Sequence, residues 1–176
     1  MLKAHPMIVE FLRKNRYRRT PMGMMPNLGD GVCRWCGGEV KRPRRSWCSD
    51  ECVNEFRVIF WPGYATEKVH ERDNGICSVC GIDTEELWEL RIRCFRLESI
   101  GNYQETVKQR RENWGPWRRN ATRLWEMDHV VPVIEGGGSC GLENLRTLCC
   151  ACHDKETKQL AGRRSERNTK QMKLKL

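Results

Sequence analysis

Cysteine spacing limits this chain more than any other feature. Eight of its eleven cysteines fall in four short pairs: Cys33 with Cys36, Cys48 with Cys52, Cys77 with Cys80, and Cys149 with Cys152. Two cysteines separated by two residues sit on a tight knuckle turn, and Gly37-Gly38 behind Cys36 permits that turn. The wider Cys48/Cys52 spacing places its ligands one helical turn apart, with Cys52 near the start of a helix. Four thiolates close a tetrahedral zinc shell and leave no position for a substrate, so Cys33, Cys36, Cys48 and Cys52 read as a structural site. Cys77-Ser78-Val79-Cys80-Gly81 is a second knuckle. Its partner pair, Cys149 and Cys152, lies far along the chain, so this second zinc site closes a long loop. Cys94 is expected in a core. Cys140 and Cys150 are left out of both shells. An odd cysteine count suits reduced, metal-binding thiols better than a secreted disulfide framework.

The chain needs such staples. Its 176 residues are 31% charged and 39% hydrophobic, with mean hydropathy −0.72, a composition that does not supply a large core. No signal-peptide pattern and no membrane-length apolar run is read, so the expected location is cytoplasmic, of bacterial or phage type, or nuclear in a eukaryote, with no membrane partner. Formal net charge is +9. The basic residues cluster at 13–19, 41–45, 118–123 and 163–175, which favours a polyanion partner. Charge alone does not separate DNA from RNA.

Taken in order, residues 1–32 read as a basic N-terminal arm and linker, with Ile8, Phe11 and Leu12 on one face of a short helix and a Met, Pro and Gly-rich segment behind it. Residues 33–63 are a four-cysteine zinc element and its following helix, stopped by Pro62-Gly63. A second helix runs from Tyr64 to Asp73, ends at Asn74-Gly75, and carries His70 as a surface or packing residue. Asp83 with Glu86 forms a capping box and opens a helix with Leu87, Leu90, Cys94 and Leu97 on one face. Another helix is expected over 102–112. Trp114 and Trp117, interleaved with arginines, offer either stacking faces for bases or the cover of a small core. The main domain spans 64–164, with a helical insertion at about 83–124 and a basic tail at 165–176.

One stretch carries chemistry. Asp128-His129, Pro132, Gly136-Gly137-Gly138, Asn144-Leu145 and Leu148 to His153 read as strand, glycine-rich turn, strand and helix. A carboxylate and imidazoles with open coordination suit a divalent cation that must still bind phosphate and water. His153 follows zinc ligand Cys152, so the zinc site fixes where that imidazole points. Asp128 and His129 are neighbours on a strand, where side chains alternate; for both to serve one site the strand must end or distort there.

These residues, with Lys155 and Thr157, resemble the HNH endonuclease motif, in the subtype whose ββα-metal finger is braced by a four-cysteine zinc. The Trp47 to Phe56 zinc element and the helical insertion also resemble the C-terminal nuclease module of vertebrate annealing helicases that carry a RanBP2-type zinc finger; a free-standing relative is expected. The resemblance implies an α+β fold, small and zinc-stapled: a ββα-metal (HNH) finger with a helical insertion and an N-terminal four-cysteine zinc element. It implies His129 as general base, Asp128 and His153 as ligands of a catalytic Mg²⁺ or Mn²⁺, and Asn144 as the brace that orients His129. The implied activity is DNA hydrolysis leaving a 5′ phosphate and a 3′ hydroxyl. Arg42, Arg44, Arg45, Arg118, Arg119, Arg146, Lys155, Arg163 and Arg164 are the expected nucleic-acid contacts. A non-catalytic zinc-dependent nucleic-acid-binding or recruitment module, and an RNA-directed nuclease, are the competing readings.

Overall fold

A computed structural model of the chain describes residues 3–15, 25–99 and 122–173. It contains helices α1 (Pro6–Asn15), α2 (Asp50–Phe60), α3 (Pro62–Arg72) and α4 (Thr84–Ser99), strands β1 (Trp125–His129) and β2 (Leu145–Cys149), and a last helix α5 (Cys150–Lys173). β1 and β2 pair as a two-stranded sheet. The expected ββα order, β1-β2-α5, is therefore present. No helix among the described residues is long and apolar enough to cross a membrane. The chain divides into two compact units: Met1–Arg72 with His129–Arg146, and Asp73–Asp128 with Thr147–Leu176.

In the first unit the core is built on the zinc element. Ile8 and Leu12 of α1 pack with Cys33, Trp35, Cys52 and Phe56, so the helical part of the N-terminal arm orders against this element. Trp35 is fully buried and its indole N–H still finds an acceptor, Glu55 Oε2 at 2.6 Å, as a buried indole requires. Phe56 gathers the other rings, with Trp47 at 4.7 Å and Phe60 at 4.8 Å between centroids. Ser49 caps α2, accepting from Cys52 N–H, and Asp50 and Glu51 complement the positive N-terminal end. α2 ends just ahead of Pro62, as expected. The chain turns at Trp61 and Pro62 becomes the first residue of α3, the position where its missing N–H is harmless.

In the second unit, Asn74 and Gly75 leave α3 through left-handed backbone, φ 51° and 70°. Asp83 opens α4 by accepting from Glu85 and Glu86 N–H at 2.8 and 3.2 Å. The expected apolar face of α4 needs correction at Leu90, which is exposed, whereas Thr84, Leu87 and Arg91 are buried. The helix turns Arg91 inward, its guanidinium 5.0 Å from the centroid of Trp88, so the long arginine stem lies where Leu90 was expected. Leu87 packs with Leu124 and Cys150, and Cys77 with Leu148, Cys149 and Cys152. The side chains of Cys94 and Leu97, the helix expected over 102–112, Trp114, Trp117, Arg118 and Arg119 lie outside the described residues.

Candidate functional site

Both cysteine knuckles are made the same way. Cys33 N–H donates to Gly38 O (2.7 Å) and Gly37 N–H to Cys33 O (2.9 Å); Cys77 N–H donates to Ile82 O (2.9 Å) and Gly81 N–H to Cys77 O (2.8 Å). The glycine behind each pair is left-handed, φ 74° at Gly37 and 73° at Gly81, where a Cβ is strained. A helix start supplies the other two thiols in each case: Cys48 and Cys52 around the cap of α2, Cys149 and Cys152 around the first turn of α5.

The thiols meet as the spacing demands. Cys33, Cys36, Cys48 and Cys52 form one group, and Cys77, Cys80, Cys149 and Cys152 another, each with its sulfurs within 4.8 Å of one another. Sγ–Sγ distances of 3.5 Å (Cys36–Cys48), 3.6 Å (Cys48–Cys52) and 3.7 Å (Cys80–Cys149) approach the roughly 3.8 Å edge of a tetrahedron with zinc–sulfur bonds of about 2.3 Å. Both groups fit zinc. In each, burial pushes the knuckle's first thiol up, but backbone N–H donors outweigh it and bring Cys33 and Cys77 down to about 7; burial drives Cys52 and Cys152 strongly upward. A bound cation would supply the charge that stabilises the remaining thiolates. Cys150 is buried with Leu87 and Leu124 and Cys140 is half-buried; neither joins a shell.

β1 ends at His129, and Asp128 and His129 are both half-buried with no alternation of burial. Both residues belong to the strand, which ends directly after them. The segment to β2 is more structured than a glycine turn. A 3-10 turn over Val133–Glu135 closes at Gly136 (φ 105°), and a second covers Leu142–Asn144. Asn144 ties this segment together. Its Oδ1 accepts from Val131 N–H at 2.8 Å, its Nδ2 donates to Val131 O at 3.1 Å and Gly137 O at 2.9 Å, and its backbone O accepts from Val130 N–H at 2.9 Å. Gly137 cannot be replaced freely, since a Cβ there would lie 1.7 Å from Val131 O and 2.6 Å from Asn144 Nδ2.

His153, in the first turn of α5, has a buried Nδ1 with no hydrogen-bond partner among the described residues. Buried imidazole nitrogens are ordinarily satisfied. Imidazole and carboxylate are donor types a divalent cation takes. The two tetrathiolate groups are the sets of three or more metal-type ligands among the described residues; Asp128, His129 and His153 are not a third.

Two further residues hold the loop and β2, and sequence gave no sign of either. Arg72, at the end of α3, donates to Leu142 O (2.6 Å) and Leu145 O (2.7 Å), on either side of Asn144. Asp73 accepts from Thr147 N–H at 2.8 Å. These contacts span 70 to 74 residues, beyond any local pattern. Of the expected nucleic-acid contacts, Arg42, Arg45, Lys155, Arg163 and Arg164 are exposed and Arg146 is half-buried. Arg44 is engaged with Asp50 at 2.9 Å, and that guanidinium holds the Asp50 carboxyl below its usual range.

Residues 117–159 match the HNH endonuclease family model, a segment that includes β1, β2 and the start of α5. Proteins similar to the chain include the "DNA annealing helicase and endonuclease ZRANB3" of Mus musculus, 38% identical over 140 residues, and that of Homo sapiens, 32% over 154 residues. Those alignments cover 74% and 80% of this chain but 13% and 14% of the relatives, so the chain spans a small part of their length. The crystal structure of the human ZRANB3 HNH domain is 26% identical, with a TM-score of 0.38, over 58% of this chain and 92% of that one.

Proposed function

We propose that the chain is a metal-dependent DNA endonuclease, with His129 as the general base and Asp128 and His153 as protein ligands of the catalytic divalent cation. The observation that carries this reading is the buried, unpartnered Nδ1 of His153, one residue from zinc ligand Cys152. A bound divalent cation supplies charge stabilisation at the scissile phosphate and the leaving 3′ oxygen.

The protein's own groups do the rest. Neutral His129 takes a proton from the attacking water. Asn144 fixes the loop that leaves His129, through hydrogen bonds at Val130, Val131 and Gly137. Exposed Lys155, Arg163 and Arg164 meet the phosphate backbone, and products carry a 5′ phosphate and a 3′ hydroxyl. DNA is favoured over RNA because the curated relatives are named as DNA-processing enzymes. Supercoiled plasmid with Mg²⁺ or Mn²⁺ tests the proposal: parent protein nicks or linearises it, and His129→Ala does not. Equal cutting by both proteins, or no cutting by the parent, sinks the reading.

A further inference from the structure

Beside the first zinc shell lies a hollow of about 360 Å³ that neither the zinc nor the proposed hydrolysis uses. Its lining includes Met25, Asp30, Arg34, Arg45, Trp47 and Phe56. A backbone bond from Arg34 N–H to Ser46 O (3.0 Å) seats Arg34 against the Arg45-Ser46-Trp47 strip. Trp47 rests on Phe56, centroids 4.7 Å apart at 46°. Phe56 is buried while Trp47 is half-buried, so the indole is the aromatic surface left to the hollow.

We propose that this hollow binds one unstacked nucleobase of a single-stranded nucleic acid, stacked on Trp47, with Arg34 and Arg45 on the phosphates to either side. The lining chemistry selects that ligand. Arg34 and Arg45 are exposed and have no ion-pair partner among the described residues, in contrast to neighbouring Arg44. A bare phosphate does not suit a wall that also carries the Asp30 carboxylate. A base does: its ring offers a face to the indole, its exocyclic amine a donor to Asp30, and its flanking phosphates meet the arginines. The volume falls within the range of small-molecule sites, whose floor is about 300 Å³.

The proposal rests on nucleic acid being the partner, as in the nuclease reading, but not on hydrolysis, so it is tested by binding in the His129→Ala background. A short single strand is compared with one of the same length whose central nucleotides are abasic. Stacking one base is expected to make the intact strand bind roughly five- to a hundredfold tighter, and 2-aminopurine at the central position is quenched on binding. Trp47→Leu, checked for two zincs per chain, removes this preference, while Arg34→Ala with Arg45→Ala weakens both strands alike. Equal binding of intact and abasic strands overturns the proposal, as does a zinc-loaded Trp47→Leu protein that keeps the preference. If Trp47→Leu loses zinc, the double arginine variant decides, and unchanged affinity refutes the site. Equal displacement of both strands by millimolar pyrophosphate, without 2-aminopurine quenching, shows an anion site only and also overturns it.

Discussion

Asn144→Asp is the sharpest probe of the loop between the strands, because it keeps size and shape and replaces the donor amide by an acceptor-only carboxylate. The amide orientation is fixed by its partners: only with Oδ1 toward Val131 N–H and Nδ2 toward Val131 O and Gly137 O are all three bonds made. An aspartate keeps the first and turns the other two into contacts between a carboxylate and carbonyl oxygens. Two lost hydrogen bonds are worth about 0.5–1.5 kcal/mol each. The Val131 pair is exposed and the Gly137 bond part-buried, so water relieves most of the repulsion and the total stays at about 1–3 kcal/mol. For a chain of 176 residues each kcal/mol lowers the melting temperature by about 2–4 °C, so the variant should melt roughly 2–12 °C below the parent. Both zincs should remain, since no thiol ligand touches Asn144. Nicking should fall further than stability, because a displacement of about 1 Å at the reacting groups can cost on the order of a hundredfold. Calorimetry, zinc analysis and plasmid nicking on one preparation give all three numbers. A variant that melts and nicks like the parent refutes the bracing role.

Gly137→Ala should damage the same brace from the opposite side, since its Cβ falls inside Val131 O and beside Asn144 Nδ2; it should nick as poorly as Asn144→Asp, and parental nicking would show that the loop tolerates the clash. Cys77→Ser should lower bound zinc from two per chain to one and unfold much of the second unit, whereas Cys140→Ala should leave zinc at two; zinc analysis with circular dichroism separates the outcomes. Strong chelation should unfold the protein, because the four-cysteine sites replace much of the missing core. Asp50 titrates below its usual range because of Arg44. Its folded value lies under its unfolded one, so its contribution is present above the unfolded value and lost as pH falls through the folded value. Arg44→Ala should therefore raise the Asp50 midpoint in an NMR titration, and an unmoved midpoint would show that the pair does not form in solution.

Much of the site was legible because metal ligation ties sequence spacing to geometry. Cys-x-x-Cys-Gly states a turn, a left-handed glycine and two ligands at once, and both knuckles fold that way. The pairing of Cys77 and Cys80 with Cys149 and Cys152 was legible because these were the two spaced pairs left once Cys33, Cys36, Cys48 and Cys52 were matched. What stayed hidden depends on tertiary packing. Leu90 and Arg91 are adjacent on α4, and helical period alone does not say which of them faces inward when arginine can bury its stem. Arg72 and Asp73 look like ordinary polar residues before a helix stop, and their partners lie beyond residue 140. The inward packing of Ile8 and Leu12 needed the zinc element as its other half.

The thiol contact between Cys80 and Cys149 joins positions 69 residues apart. Closing a flexible loop costs only about 0.6 kcal/mol more for each doubling of its length. A zinc at its base would therefore tolerate changes in the length of the chain it closes, provided Leu87 and Leu124 keep their packing on Cys150. That gives this module a place to accept grafted sequence, and with it new specificity, while the helix start that carries His153 stays fixed.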